Sequence, residues 1–255
     1  MMEVSAQPAH HDSAMSMLDL QELVDSKYKA TVNNSPWMGI SVGVLTPDHG
    51  MSFFNYGRQN SSGPLVTADT IFAVNSMTKV FTSVALAYMN NQQRVHLNDS
   101  IQSYTDHVMP VDIDKSEMSF LDLATHWSGL TRSPTNLFMD QDDPYQGYTD
   151  DMFFADLKTY NFSAQNLHID KQYLYSNYAY GLLAYILSNE MLESNFKNMM
   201  ETLIFRPLSM DGSALTTDTP KPVTFANGHA TDGSQRPWGS SCETVLGMCI
   251  LSYNV

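Results

Sequence analysis

The chain has 255 residues, 43% of them hydrophobic and 16% charged, with 27 Asp and Glu against 13 Lys and Arg. This is a globular composition with enough apolar mass for one large domain or two interlocked subdomains. The net charge of -14 argues against nucleic acid and anionic membrane surfaces as partners, because phosphate binding needs clustered Lys and Arg and here they are few and scattered.

Residues 1–16 are polar and are expected to be frayed. No basic segment followed by an apolar one opens the chain, and no apolar run reaches the roughly 18 residues of a membrane span. The default expectation is a cytoplasmic protein without a transmembrane helix. From 16 to 30, Met17, Leu20, Leu23 and Val24 recur at helical spacing. Two strand-like runs, GISVGVLT and MSFFNYGRQ, flank the turn signal PDHG and read as a β-hairpin. SMTKVFTSVALAYMNNQQ then carries Val80, Phe81, Val84, Ala85 and Tyr88 along one side, the pattern of a helix buried on that face. LNDSIQSYT reads as a short helix. SFLDLATHWSGL has Ser119 as its N-cap and Gly129 as its stop. A polar, Asp- and Pro-rich stretch covers 131–147 and reads as loop. YAYGLLAYILSNEM and SNFKNMMETLIFRPL follow as helices, the second ended by Pro207. After Thr216 the pattern becomes coil. Cys242 and Cys249 complete no zinc-ligand set and read as free thiols. A helix, a hairpin and then mostly helices give an α+β fold, with a helical subdomain inserted after the first strands.

Ser-x-x-Lys occurs three times, at Ser26–Lys29, Ser76–Lys79 and Ser194–Lys197. The spacing alone is weak, so context must separate them. Ser26 and Lys29 fall late in their helix, where a cation suits the macrodipole. Ser194 opens an amphipathic helix and reads as its N-cap. Ser76 differs: the apolar IFAV precedes it, and Lys79 leads directly into an apolar stripe. A serine hydroxyl must lose its proton to a nearby base to act as a nucleophile. Residues at i and i+3 share a helix face, which puts Lys79 in reach of Ser76, and partial burial would tune the amine. A second group is needed to relay that proton, and YLYSNYAYGLLAY offers Tyr175 and Asn177. Tyr175 lies on a loop before a helix. As a phenolate it is a competent base where Lys79 and a second cation lower its pKa. Asn177 can hold Lys79 and a substrate carbonyl through its amide. The competing reading makes Tyr175 a core aromatic and Asn177 a helix N-cap. A similar Tyr88–Asn90 pair lies more than three turns along the Ser76 helix and cannot face Ser76.

In this order the segments resemble the serine β-lactamase and penicillin-binding-protein superfamily, in its class C-related branch with D,D-carboxypeptidases, D-aminopeptidases, esterases and LACTB-type proteins. IFAVNSMTKVFTSVALAYM is similar to that family's Phe-x-x-x-Ser-x-Thr-Lys helix, and RVHLNDSIQSYTDHVMP to the stretch after it. LATHWSGL resembles the His-Thr-Ser-Gly-Leu segment, with Trp127 in the place of a small residue. YLYSNYAYGLLAYIL resembles the Tyr-x-Asn region, and IFRPLSMDGS the Pro-Leu-Gly-Met segment with Ser209 in the Gly place. The likeness spans about residues 20 to 235. It implies a β-lactamase/transpeptidase-like fold, a domain over 17–235 and a divergent tail over 236–255. It also implies an acyl-enzyme mechanism on an amide, β-lactam or ester without a cofactor or metal. In that mechanism Ser76 is the nucleophile, Lys79 its proton acceptor or electrostatic partner, Tyr175 a base or relay, and Asn177 a substrate-positioning residue. The Ser76 N–H would be half of an oxyanion hole. His126, Ser128 and Gly129 read as structural.

The family's third element, Lys-Thr-Gly or His-x-Gly, does not occur between Asn177 and Val255. The later strands and terminal helix of the family are expected to be missing, leaving the hairpin with an unpaired edge and an uncovered apolar face. Three readings stay open: a truncated product, completion by another chain or by self-association through the open edge, or substitution by the tail. The ligand implied is a small molecule or peptide. The alternative function is an inactive binding or scaffold protein on the same fold.

Overall fold

The computed structural model describes residues 15–105, 118–138, 145, 147–161, 172–215, 225–235 and 251–254. Residues 1–14, Cys242 and Cys249 lie outside them. The chain forms two compact units, one of Met1–Thr70 with Thr224–Arg236 and Val255, the other of Ile71–Val223 with Pro237–Asn254.

In the first unit, helix α1 (Met17–Asn34) starts at a capping box: the Ser16 hydroxyl accepts the Asp19 N–H at 3.1 Å, and the Asp19 carboxylate accepts the Ser16 N–H at 3.2 Å. Strands β1 (Gly39–Thr46) and β2 (Gly50–Gly57) form the expected antiparallel hairpin, with Val42 opposite Phe54. Leu20 and Val24 pack on Phe54, flanked by Tyr28, Val42, Val44 and Tyr56. Met17 and Leu23, expected on the same apolar stripe, are exposed. The other face of the hairpin exposes Leu45, Met51 and Phe53, and among the described residues β1 and β2 pair only with each other. Gly57 ends β2 at φ 74°, where a Cβ would lie 2.0 Å from the Met38 carbonyl oxygen, so no other residue fits.

The second unit holds the larger core. Strand β3 (Ile71–Ala73) leads through a 3₁₀ turn (Asn75–Met77) into α2 (Thr78–Asn91). Then come α3 (Gln102–Thr105), α4 (Phe120–Thr125), α5 (Asp150–Thr159), α6 (Asn177–Tyr185) and α7 (Phe196–Met200). Both α6 and α7 run on as π-helical turns, over Ile186–Glu190 and Glu201–Phe205. Strand β4 (Ala214–Leu215) completes the sheet order β3-β5-β4 with β5 (Leu251–Asn254), all antiparallel, so the coil expected after Thr216 contains a strand that pairs back onto β3 and β4. Helix α6 is buried on every side from Tyr178 to Ala184, which makes it the centre of this unit. Around it lie Leu86 and Met89 of α2, Phe120 and Leu123 of α4, Phe153 and Leu157 of α5, and Met199 and Met200 of α7.

Four local expectations need correction. Val80, Val84 and Tyr88 of α2 are exposed, and the buried face is Thr78, Lys79, Thr82, Ala85, Leu86 and Met89. Apolarity alone picks the wrong side here, because the inward polar groups have partners: the Thr82 hydroxyl donates to the Thr78 carbonyl at 3.4 Å, and the neighbouring Ser83 hydroxyl meets the Tyr180 hydroxyl at 2.9 Å. Helix α4 starts at Ser119 as expected, in a capping box with Asp122, but ends at His126 in the left-handed conformation (φ 66°) rather than at Gly129. Helix α5, capped by Thr149, was not anticipated. Helix α7 is capped by Asn195, whose side chain accepts the Asn198 N–H at 2.9 Å, and not by Ser194.

Candidate active site

The chain turns sharply between β3 and α2. Val74 is helical, Asn75 is left-handed at φ 46°, and Ser76 follows in the 3₁₀ turn. Asparagine tolerates that conformation better than any residue but glycine. The turn exposes Ser76, while Lys79, one turn later, is only 7% exposed. Ser76 thus combines access to solvent with a cation beneath it held off water. Its N–H belongs to the first turn, where donors lack intrahelical partners and favour negative charge.

The structure brings Ser76, Lys79 and Tyr175 together. The Tyr175 hydroxyl donates to Ser76 Oγ at 2.8 Å, a normal short O–H···O bond. Lys79 Nζ lies 3.5 Å from Ser76 Oγ, at the limit of a hydrogen bond, and 5.1 Å from the centre of the Tyr175 ring. Asn177 is the first residue of α6, and its main-chain N–H donates to the Arg132 carbonyl at 2.8 Å. The cap of α6 is Ser176, whose hydroxyl accepts the Ala179 N–H at 2.8 Å, so Asn177 is free of that duty. Asn177 Oδ1 is buried and has no hydrogen-bond partner among the described residues. An unpartnered buried acceptor costs stability, which favours a role toward a ligand over a purely structural one.

Tyr175 is neither a core aromatic nor loosely held. His126 clamps it from both flanks: its carbonyl accepts the Leu174 N–H at 2.9 Å, and its Nδ1 accepts the Ser176 N–H at 3.0 Å. The imidazole also lies 4.6 Å from the Tyr175 ring and 5.1 Å from that of Tyr180. Burial, and then the charge of Lys79, lower the His126 pKa below its ordinary value, and Nδ1 can accept the Ser176 N–H only while it is unprotonated. The ring is therefore neutral near pH 7, with its proton on Nε2. Thr131 and Arg132 hold the same segment, since the Ser176 hydroxyl donates to the Thr131 carbonyl at 2.7 Å. The Arg132 guanidinium lies 5.1 Å from the Tyr175 ring centre.

Burial raises the Tyr175 pKa, but hydrogen bonds with Ser76 and Lys79 and the charges of Lys79 and Arg132 outweigh it, and the phenol sits below its ordinary value of 10.0. Arg132 is the second cation that the Tyr175 reading called for, and sequence reasoning did not find it. Its signal was a basic residue just beyond the Ser-Gly-Leu segment, in a chain poor in them.

The other two Ser-x-x-Lys pairs are ordinary helix chemistry. Ser26 Oγ donates to the Leu23 carbonyl while Lys29 pairs with Asp25 at 2.6 Å. Lys197 lies 3.9 Å from Glu201.

A family model described as Beta-lactamase matches residues 36–241. The chain belongs to the beta-lactamase family. Curated relatives include beta-lactamases of Lysobacter lactamgenus, 26% identical over 76% of this chain and 47% of the relative, and of Providencia stuartii, 24% identical over 82% of this chain and 50% of the relative. Among solved structures, a class C beta-lactamase aligns with a TM-score of 0.75 at 21% identity, covering 96% of this chain and 64% of that one. A beta-lactamase/D-alanine carboxypeptidase from Yersinia pestis aligns with a TM-score of 0.74 at 22% identity, covering 94% of this chain and 66% of that one. The fold is thus the β-lactamase/transpeptidase-like α+β fold, and the chain spans about half the length of the curated relatives it matches.

Proposed function

We propose that the protein is a serine acyl hydrolase that works through an acyl-enzyme on Ser76. The observation that carries this reading is the pair of contacts on one exposed hydroxyl: Tyr175 at 2.8 Å and Lys79 at 3.5 Å. In acylation, Ser76 Oγ attacks the substrate carbonyl carbon and its proton passes to the Tyr175 phenolate, which is made accessible by the two cations. The Ser76 N–H stabilises the oxyanion of the tetrahedral intermediate. Tyr175 then returns the proton to the leaving nitrogen or oxygen as that bond breaks. In deacylation, a water takes the place of the leaving group, gives its proton to Tyr175 and attacks the ester, and the proton returns to Ser76. Lys79 keeps the site cationic throughout. Asn177 Oδ1, an acceptor without a partner among the described residues, is suited to an N–H of the substrate or to the Lys79 ammonium.

The names of the relatives point to a cyclic or D-amino-acid amide as substrate, with an activated ester as a simpler surrogate. The test is hydrolysis of nitrocefin and of p-nitrophenyl acetate by the purified chain. The reading requires turnover of at least one above the blank, and its loss in Ser76→Ala. Turnover that Ser76→Ala leaves intact would refute it.

A further inference from the structure

Lys79 is only 7% exposed, and a buried ammonium must recover from its neighbours part of what it loses on leaving water. Two of those neighbours are aromatic faces. Lys79 Nζ lies 5.1 Å from the centre of the Tyr175 ring and 5.6 Å from that of Tyr180, both within the range at which a cation is drawn to a ring face. His126 packs on the same two rings, at 4.6 Å and 5.1 Å. One ring, Tyr180, therefore contacts both the cation beneath Ser76 and the imidazole that clamps Tyr175. Tyr175 has its hydroxyl on Ser76, whereas the hydroxyl of the buried Tyr180 is engaged elsewhere. It donates its one proton to the Ala124 carbonyl at 2.8 Å, so at 2.9 Å it accepts from the Ser83 hydroxyl. Burial raises the Tyr180 pKa, which keeps that proton in place. Ser83 lies one turn beyond Lys79 on α2, and Ala124 lies on α4 two residues before His126. The Tyr180 ring is thus tied through its hydroxyl to the two elements that carry Lys79 and His126.

We infer that Tyr180 is a positioning residue for acylation of Ser76: its ring face holds the Lys79 ammonium 3.5 Å from Ser76 Oγ, and its hydroxyl holds the ring. The effect on rate rests on the hydrolase reading, whereas the hold on Lys79 is measured without any reaction. Two variants of nearly equal shape separate the electrostatics of the face from its packing. Tyr180→Phe keeps the negative ring face, and Tyr180→pentafluorophenylalanine reverses it. Fluorophosphonate labelling of Ser76 gives the acylation rate. The ε-methylene NMR signal of Lys79, assigned with Lys79→Arg in protein carrying isotope-labelled lysine, gives the position of the ammonium. The pentafluoro variant should label about tenfold more slowly than Tyr180→Phe, while circular dichroism shows both folded. Its Lys79 signal should shift downfield as the side chain leaves the ring. In wild-type protein the same signal should lie upfield of an ordinary lysine, because the nitrogen beside it sits over two ring faces. Equal labelling rates in the two variants, a Lys79 signal that does not move between them, or an ordinary position for it in wild type would each overturn the proposal. Loss of the hydrolase reading appears separately, as wild-type Ser76 that does not react, and the two NMR readings still decide whether Tyr180 holds Lys79.

Discussion

Replacing Tyr175 by Phe removes one oxygen from the site and little else. The ring stays, and with it the 4.6 Å packing on His126, the 5.1 Å approach of Lys79 and the 5.1 Å approach of Arg132. The loss is the 2.8 Å bond to Ser76 Oγ and the phenol proposed to take its proton. A general base contributes about 10² to 10⁴ in rate, so Tyr175→Phe should slow acylation of Ser76 by about that factor. The stability cost is one partly exposed hydrogen bond, about 1 kcal/mol or less. The assay is a time course of fluorophosphonate labelling, read as a second-order rate constant, beside a thermal melt by circular dichroism. The pH profile adds a second readout. The Tyr175 pKa lies below 10.0, so the phenolate fraction and the labelling rate should rise as pH climbs through a value below that of an ordinary phenol. Tyr175→Phe should lack that rise. A variant that labels as fast as wild type, with the same pH profile, would show that Tyr175 is not the base.

Other expectations follow from the same geometry. His126→Asn keeps a left-handed-tolerant residue and a side-chain acceptor for the Ser176 N–H, whereas His126→Leu keeps neither, so acylation should fall more steeply in the leucine variant with Asn giving partial rescue. The folded-state pKa of His126 is depressed, so its contribution to stability is full above the unfolded value of 6.5 and is lost as pH falls through the lower folded value; wild-type melting temperatures should carry that component and His126→Asn should not. Ser209 stands at φ 54° on the surface, where the family pattern has glycine; Ser209→Gly should stabilise by about 0.5 to 1 kcal/mol in urea melts. Ser119→Ala removes the capping box that starts α4 and should cost about 1 kcal/mol in the same melts.

How much of this was legible in the sequence depended on whether the signal was local. The hairpin, the cap at Ser119 and the helix from Asn177 are written in residues next to each other, and the structure has them. The site pair Ser76 and Lys79 was legible for the same reason, since i and i+3 are neighbours on any helix. Tyr175 could be proposed only through its order in the chain, because nothing local says that a loop 99 residues on returns to Ser76. The α2 face was misread because Thr78, Lys79 and Thr82 look outward by polarity; their burial depends on partners and on the site, which no periodicity encodes. The stop expected at Gly129 gives way to one at His126 for a related reason. Its left-handed backbone is held by bonds to Leu174 and Ser176, which come from another part of the chain. Arg132 was missed because its importance lies in its approach to the Tyr175 ring, which comes from another part of the chain.

The central claim is that Ser76 is the residue that becomes acylated, with Tyr175 and Lys79 preparing it. Peptide mass spectrometry after reaction with a fluorophosphonate tests this most directly. The account predicts a single adduct on the peptide holding Ser76, absent in Ser76→Ala and formed slowly in Tyr175→Phe and Lys79→Ala. An adduct on Ser26, Ser194 or any other serine, or one that Ser76→Ala does not remove, would contradict it.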